Sequence, residues 1–320
     1  MNSYLRTLLI PLVMALVSIT SPANASCGAA FCTLNTAWDA QGVVTDPGLR
    51  FDLRYEYVDQ NQPLTGRDKV SVGQIPQHHD EIRTLNRNVI ARIDYTPNAY
   101  DGFSLQLPYV DRDHSHIHNH HGVPLYESWE LRGIGDIKLL ARRRLSGDDT
   151  PPQGLLYGIK FPTGSTDETN ADGAPAERTL QPGTGTTDVM LGYYVSTLEL
   201  LADTPTRLFA QVQFQAPTNA HNGFRPGAQY IFDVGLAYPA AGTLSGLLQL
   251  NTSIRDRDRG PEAEPNSSGG TFVWLSPGLG YSIAREMQLY GFVQLPLYQH
   301  VNGVQLTASK SIALGAHWRF

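Results

Sequence analysis

The stretch Ser311-Ile312-Ala313-Leu314-Gly315-Ala316-His317-Trp318-Arg319-Phe320 carries an apolar or aromatic side chain at every even position from Ile312 to Phe320, with Ser311, Ala313, Gly315, His317 and Arg319 alternating between them. A period of two belongs to a β-strand whose two faces meet different surroundings. A segment of this kind that ends on an aromatic residue reads as the last strand of an outer-membrane β-barrel. One face meets lipid and the other a polar lumen, and the strand pairs with the first so that no edge remains. Outer-membrane lipid, lipopolysaccharide and, through the strand ending at Phe320, the barrel-assembly machinery are the expected partners.

The same pattern recurs upstream. In Leu49-Arg50-Phe51-Asp52-Leu53-Arg54-Tyr55-Glu56-Tyr57 the odd positions are apolar and the even ones charged. Four successive inward charges would not survive in the dry core of a sandwich, whereas a wet lumen lets opposite charges pair. Comparable runs start near Arg83, Phe103, Gly135, Leu155, Val189, Leu208, Tyr230, Leu244, Val273 and Leu289. With the last strand they make about twelve, an even number as bacterial barrels require. The connections agree, because long segments (60–80, 112–128, 164–183, 256–270) alternate with short ones (97–102, 146–153, 201–206, 239–243, 285–286). An up-and-down barrel with short periplasmic turns and long outer loops sorts its connections in this way, and a soluble sandwich has no reason to. The predicted fold is an all-β, transmembrane, antiparallel up-and-down barrel over 49–320.

The N-terminal region fits export. Arg6 is the sole charged side chain before Asp39, an apolar run spans 8–17 interrupted only by Pro11, and Ala23-Asn24-Ala25 has the small-x-small form of a signal-peptidase site. A signal peptide over 1–25 is expected. A lipid anchor at Cys27 is disfavoured, since Asn24 occupies the position where such sites carry an aliphatic residue. Residues 26–48 lack alternation and are expected either to hang in the periplasm or to form a small plug in the barrel mouth. Cys27 and Cys32, in an oxidising compartment and with too few neighbouring ligands for a thiolate metal site, are expected to form a disulfide. The chain has 24 basic and 30 acidic side chains; without Arg6 the balance is 23 against 30, or −7. That mild acidity argues against a nucleic-acid partner, which would need a basic face.

Two residue sets are candidates for function. The expected lumen lining includes Arg50, Asp52, Arg54, Glu56, Arg92, Asp94, Asp136, Lys138, Lys160, Asp188, Asp233 and Arg319, a mixture of signs that indicates no selectivity. A barrel of twelve strands lies between packed eight-stranded and open sixteen-stranded ones, so it suits a narrow channel or one closed by ion pairs. The second set is a histidine tract, with five of the ten histidines between 114 and 121. In an extended chain His114, His116, His118 and His120 share a face at ~6.6 Å intervals. Neighbouring imidazoles then suit one divalent ion such as Zn or Cu, with Asp111 or Asp113 adding an oxygen and the weaker candidates His78 and His79 approaching from the preceding outer loop. The alternative is a solvated loop that binds nothing physiological, or one that contacts lipopolysaccharide when protonated. No other cofactor is expected. His114 with Ser115, or His116 with Ser128, is the nearest approach to a base and nucleophile, but the expected loop setting lacks the fixed geometry catalysis needs. No enzymatic activity is expected.

Gly133-Ile134-Gly135-Asp136 opening an amphipathic strand, Gly158-Ile159-Lys160-Phe161-Pro162-Thr163-Gly164 leading into a long loop, the stretch Gly183 to Asp188 and the aromatic end together resemble the outer-membrane channel family associated with the meta-pathway of phenol degradation. The leader Cys27 to Thr36 and the histidine tract are similar to features of an uncharacterised subgroup. The resemblance covers most of the expected mature chain and implies passage of a small solute; it supplies no catalytic residues and no substrate. The expected function is therefore an outer-membrane channel or transporter, the rival being a surface metal-binding or sensing protein that the barrel merely anchors.

Overall fold

The computed structural model describes residues 26–27, 33–38, 41, 47–75, 80–120, 123–240 and 242–320, with backbone alone for 26, 27, 119, 120 and 123. The expected signal peptide, Cys32, His78 and His79 lie outside these residues, as do the side chains of Cys27 and His120.

Alternating segments become strands because each has one face that water rejects and one that lipid rejects. In chain order these are β1 (Ser26–Cys27), β2 (Gly48–Thr65), β3 (Asp68–Lys69), β4 (Asp80–Thr96), β5 (Asp101–His120), β6 (Val123–Ile134), β7 (Ile137–Arg144) and β8 (Gln153–Phe161). They continue as β9 (Asp188–Leu201), β10 (Thr204–Pro217), β11 (Gln229–Tyr238), β12 (Leu244–Arg255), β13 (Gly270–Ala284), β14 (Met287–Val301) and β15 (Val304–Arg319). Each long strand pairs antiparallel with its sequence neighbour, and β15 returns to β2 from Val304↔Thr65 to Arg319↔Arg50. Because β6 and β7 are two halves of one wall strand, both laid against β5, the closed barrel has twelve strands. Closure removes the edge that an open sheet would present to lipid.

The outward face is apolar, as the alternation requires. Leu53, Tyr55, Phe103, Leu191, Phe232, Leu279 and Leu314 all face out and are exposed, Leu314 by 56%. Leu314→Arg would put a charge against hydrocarbon, and the expected loss is roughly 2–4 kcal/mol near the midplane, falling toward the interfaces. Guanidinium titration of the barrel refolded in lipid vesicles measures it; an unchanged midpoint would mean that Leu314 does not face lipid.

Inside, small residues on the last strand make room for large ones opposite. Gly315 pairs with Tyr290, and a Cβ on that glycine would lie 2.2 Å from the tyrosine ring. Ala313 packs with Tyr290, Phe292 and Trp38. The β14–β15 ladder ends at Gln294↔Ser311, and nearer the outer rim β1 runs parallel to β15 instead, at Ser26↔Gln305 and Cys27↔Leu306.

On β5 the outward residues are apolar from Phe103 to Tyr109 and then change to Asp111 and Asp113. That apolar stretch spans ~20 Å along the strand, close to the ~25 Å lipid band once tilt is allowed for. Above it the strands stand clear of hydrocarbon. Arg87 pairs with Asp111 at 2.8 Å and with Asp113, and Arg132 approaches Asp111 at 3.6 Å, forming a charged cluster on the outer face of β4–β6 just beyond the apolar stretch.

Residues 112–128 are therefore not the loop that the spacing suggests: β5 continues to His120 and β6 begins at Val123, so the wall itself rises beyond the membrane. The pattern here is histidine inside and Asp or Ser outside. Alternation persists, but the outward Asp111, Asp113 and Ser115 are as polar as the inward histidines, so hydropathy does not register it.

Candidate functional site

The lumen wall is built from the inward positions of the strands. Arg50, Asp52, Arg54, Glu56, Asp94, Asp136, Lys160, Asp188 and Asp233 are all buried. Arg92 is part-buried and pairs with Asp94 at 2.7 Å, Lys138 lines the cavity, and Arg319 lies directly opposite Arg50 in the closing ladder. The strands thus bring the expected lumen set to one interior. Opposite charges neutralise one another there, as desolvated ions must: Arg54 Nε lies 2.8 Å from Glu56, and Lys160 Nζ lies 2.9 Å from Asp136 and 3.2 Å from Asp188.

Two chain segments narrow this interior. The first is the outer connection 162–187 between β8 and β9, which folds inward where the wall breaks at Gly135–Asp136. Asp136 holds it with both carboxylate oxygens, accepting from Gly164 N at 3.1 Å and from Thr184 N at 3.0 Å. Thr163 Oγ1 donates to Gly135 O at 2.8 Å and accepts from Ile137 N at 2.9 Å. Gly164 and Gly183 touch backbone to backbone, since a Cβ on Gly183 would lie 2.4 Å from Gly164 O. Arg112 of β5 reaches across to donate to Leu180 O, and Leu180 packs with Ala176 on Trp129 and Leu131 of β6. The three glycine motifs therefore meet at one joint, where the infolded connection enters.

The second segment is the leader. Leu34, Asn35, Thr36, Ala37, Trp38 and Gln41 are buried inside the barrel. Asn35 bonds Gln249 through both backbone groups, donating to Oε1 at 3.1 Å and accepting from Nε2 at 3.0 Å, and its Nδ2 donates to Asp233 at 3.0 Å. Trp38 meets Tyr290 edge-on at 5.0 Å, and both donate to Asp52, at 3.2 and 2.9 Å. Ala37 packs on Leu156 and Tyr194, so the segment contacts opposite sides of the wall.

Between the two lies a cavity of about 380 Å³, large enough for one small molecule. Its charged lining residues are eight basic (Arg54, Arg92, Arg112, Lys138, Arg142, Lys160, Arg178 and Arg255) and four acidic (Glu56, Asp136, Asp188 and Asp233). Leu34, Ile90, Leu156, Met190, Phe224 and Phe272 add apolar surface. Two of these cations are already held by acids just behind the lining, Arg92 by Asp94 and Arg255 by Asp258, at 2.7 Å each, so the basic excess narrows to eight against six but remains, although the whole chain is acidic.

Above the cavity, inside the raised wall, sits the histidine cluster. His114 and His116 are buried and His118 is part-buried, all on the inner face of β5. His114 Nε2 lies 3.2 Å from His116 Nδ1 and 3.8 Å from Glu81 Oε2. His116 Nε2 lies 3.3 Å from Glu127 Oε2, to which His118 Nδ1 comes within 3.6 Å. Asp111 and Asp113, the sequence candidates for an oxygen ligand, face the other side and pair with Arg87. Glu81 and Glu127 take their place, directly opposite His116 on the two neighbouring strands. The cluster is thus enclosed by the wall and is not the exposed outer-loop site expected from sequence. Further acid lies nearby: burial first, then the charges of Glu177, Glu81 and Asp258, push the carboxyl of Glu264, in the outer connection 256–269, well above the usual carboxylate range. Ser115 pairs with Ser128 on the outward side of the wall, away from the imidazoles, so the serine–histidine pairings considered above do not form.

Among solved structures, this chain is similar to the COG4313 outer membrane channel from Pseudomonas putida F1, with 13% identity and a TM-score of 0.62 over 87% of this chain and 97% of that one. The shared feature is the fold. Looser likenesses are to the NanC porin (7% identity, TM-score 0.47, 84% of this chain and 100% of that one) and to a Pseudomonas aeruginosa FadL homologue (9%, 0.42, 92% and 96%). No family model matches the sequence, and no curated protein does.

Proposed function

We propose that this protein is a channel of the Gram-negative outer membrane that passes a small anionic solute with an apolar body. The observation that carries the proposal is the lining of the central cavity, where eight cations, two of them held from behind by Asp94 and Asp258, face four anions beside aliphatic and aromatic surface. In a low-dielectric enclosure such an excess concentrates anions and repels cations. The barrel architecture shared with a solved outer-membrane channel supports passage as the role, and the motif resemblance to the channels associated with phenol degradation adds no substrate. The infolded connection and the leader act as the narrow points that set the size limit.

Reversal potentials in a KCl gradient across planar bilayers test the selectivity. Chloride is expected to be favoured over potassium. Lys138 lines the cavity with its Nζ 3.2 Å from Gln215, and Lys138→Glu should move the reversal potential toward cation preference. A wild-type pore that favours potassium would overturn the reading.

A further inference from the structure

We infer that the histidine cluster is a built site for one divalent transition-metal ion, ligated by Glu81 Oε2, His114 Nε2 and His116 Nδ1 in the raised wall above the channel. This goes beyond passage of a solute, and the geometry carries it. A tetrahedral ion with ligands at ~2.0–2.1 Å sets them about 3.3 Å apart. The two imidazole nitrogens are 3.2 Å apart, His114 Nε2 is 3.8 Å from the carboxylate, and all three ligand atoms fall within 4.8 Å of one another.

Three further features suit a metal centre. First, a β-bulge brings Glu81 into the site. Inward positions of β4 are even-numbered from Thr84 to Asp94, so unbroken pairing would turn Glu81 outward; the register shift between Glu81 and Arg83 places it inward, opposite His116. Bulges that re-aim a side chain concentrate at functional sites. Second, the far nitrogen of each imidazole is held by an outer group, as ligating histidines require. Thr84 Oγ1 lies 2.8 Å from His114 Nδ1, and the Glu127 carboxylate 3.3 Å from His116 Nε2. Third, Trp129 closes one side, with ring centroids 4.8 Å from His116 and 5.8 Å from His114.

Two imidazoles and one carboxylate favour Zn or Cu, whereas Mg and Ca prefer all-oxygen sets. His116, His118 and Glu127 form a second possible trio. It is more open and shares His116, so one ion occupies the first trio while Glu127 orients its histidine. Bound there, the ion clips β4 to β5 where the bulge interrupts their ladder, and offsets the acid of Glu81 and its neighbours.

The test is isothermal titration of the chelator-treated full chain in detergent with ZnCl₂ and with CuCl₂, followed by Co²⁺ substitution to read coordination from the visible spectrum. To remove competition from other histidines, the background variant has His78, His79, His120 and His121 changed to Ala. It is expected to bind one equivalent, as the wild type does. His114→Ala and His116→Ala should lose roughly 100-fold or more in affinity and the tetrahedral Co²⁺ bands, Thr84→Val roughly 10-fold, and His118→Ala little. Folding of each variant is checked by heat-modifiable gel mobility; if a histidine variant does not fold, Glu81→Gln, nearly isosteric, is read in its place and should also lose the bands. Wild type that binds neither metal, equal affinity in wild type and the variants at 81, 114 or 116, or binding abolished in the background variant would each overturn the inference.

Discussion

Asp136→Asn releases the connection 162–187 and raises single-channel conductance several-fold. Asp136 is the one side chain that pairs with Lys160 while accepting from both ends of the infolded segment, at Gly164 N and Thr184 N. An amide keeps the size but lacks the charge and can accept through only one atom. Lys160 is left with Asp188 alone, a buried charge with half its compensation, and the expected loss is about 3 kcal/mol. Only part of that loss reaches the barrel, because the strands keep their ladders; the remainder loosens the joint. Trypsin reports it separately, since Arg178 is tied to Thr166 O and Thr184 O and stacks over Phe224. Cleavage after Arg178 should become rapid in the variant while gel mobility still shows a folded barrel. Unchanged conductance together with unchanged trypsin resistance would show that Asp136 does not hold the constriction.

The paired change Asn35→Ala and Trp38→Ala should free the leader and widen the pore from the periplasmic side. Asn35 Nδ2 loses its bond to Asp233, and Trp38 leaves Tyr290 and Asp52. Truncating a buried tryptophan alone costs about 3–5 kcal/mol, which loosens a segment then held by the two backbone bonds of residue 35 to Gln249, the packing of Leu34 and Ala37, and the bond from Arg54 to Thr36. A several-fold rise in conductance is expected, with new accessibility of a thiol introduced at position 249 to a membrane-impermeant reagent added from the periplasmic side. If conductance and labelling both stay at wild-type values, the leader is not a barrier in the pore.

The contrast between what the sequence revealed and what it hid follows from the range of the signals. A period of two is local, so each strand declares itself, and the inward residues of β2, Arg50 to Glu56, could be read without knowing their neighbours. Glu81 and Glu127 could not. Their nearness to His116 depends on register between strands, and for Glu81 on a bulge whose only trace is a lapse in alternation near Ile82. The histidines themselves stand out by composition, yet they read as a loop because Asp111, Asp113 and Ser115 between them leave β5 polar on both faces there. The infolded connection likewise looked ordinary: Gly, Pro and Thr mark a turn wherever it goes, and only the meeting of Gly164 with Gly183 shows that it turns inward. The charge of the cavity was hidden for a related reason, since the gathering of eight cations around one space is a property of closure and not of any segment.

Single-channel recording of the wild-type protein in planar bilayers, with the Asn35→Ala, Trp38→Ala variant beside it, decides whether the barrel conducts. Small, discrete, anion-preferring openings are expected from the wild type and larger ones from the variant. A folded barrel that stays silent in both forms would contradict this expectation, and leave the cylinder as an anchor with nothing to conduct.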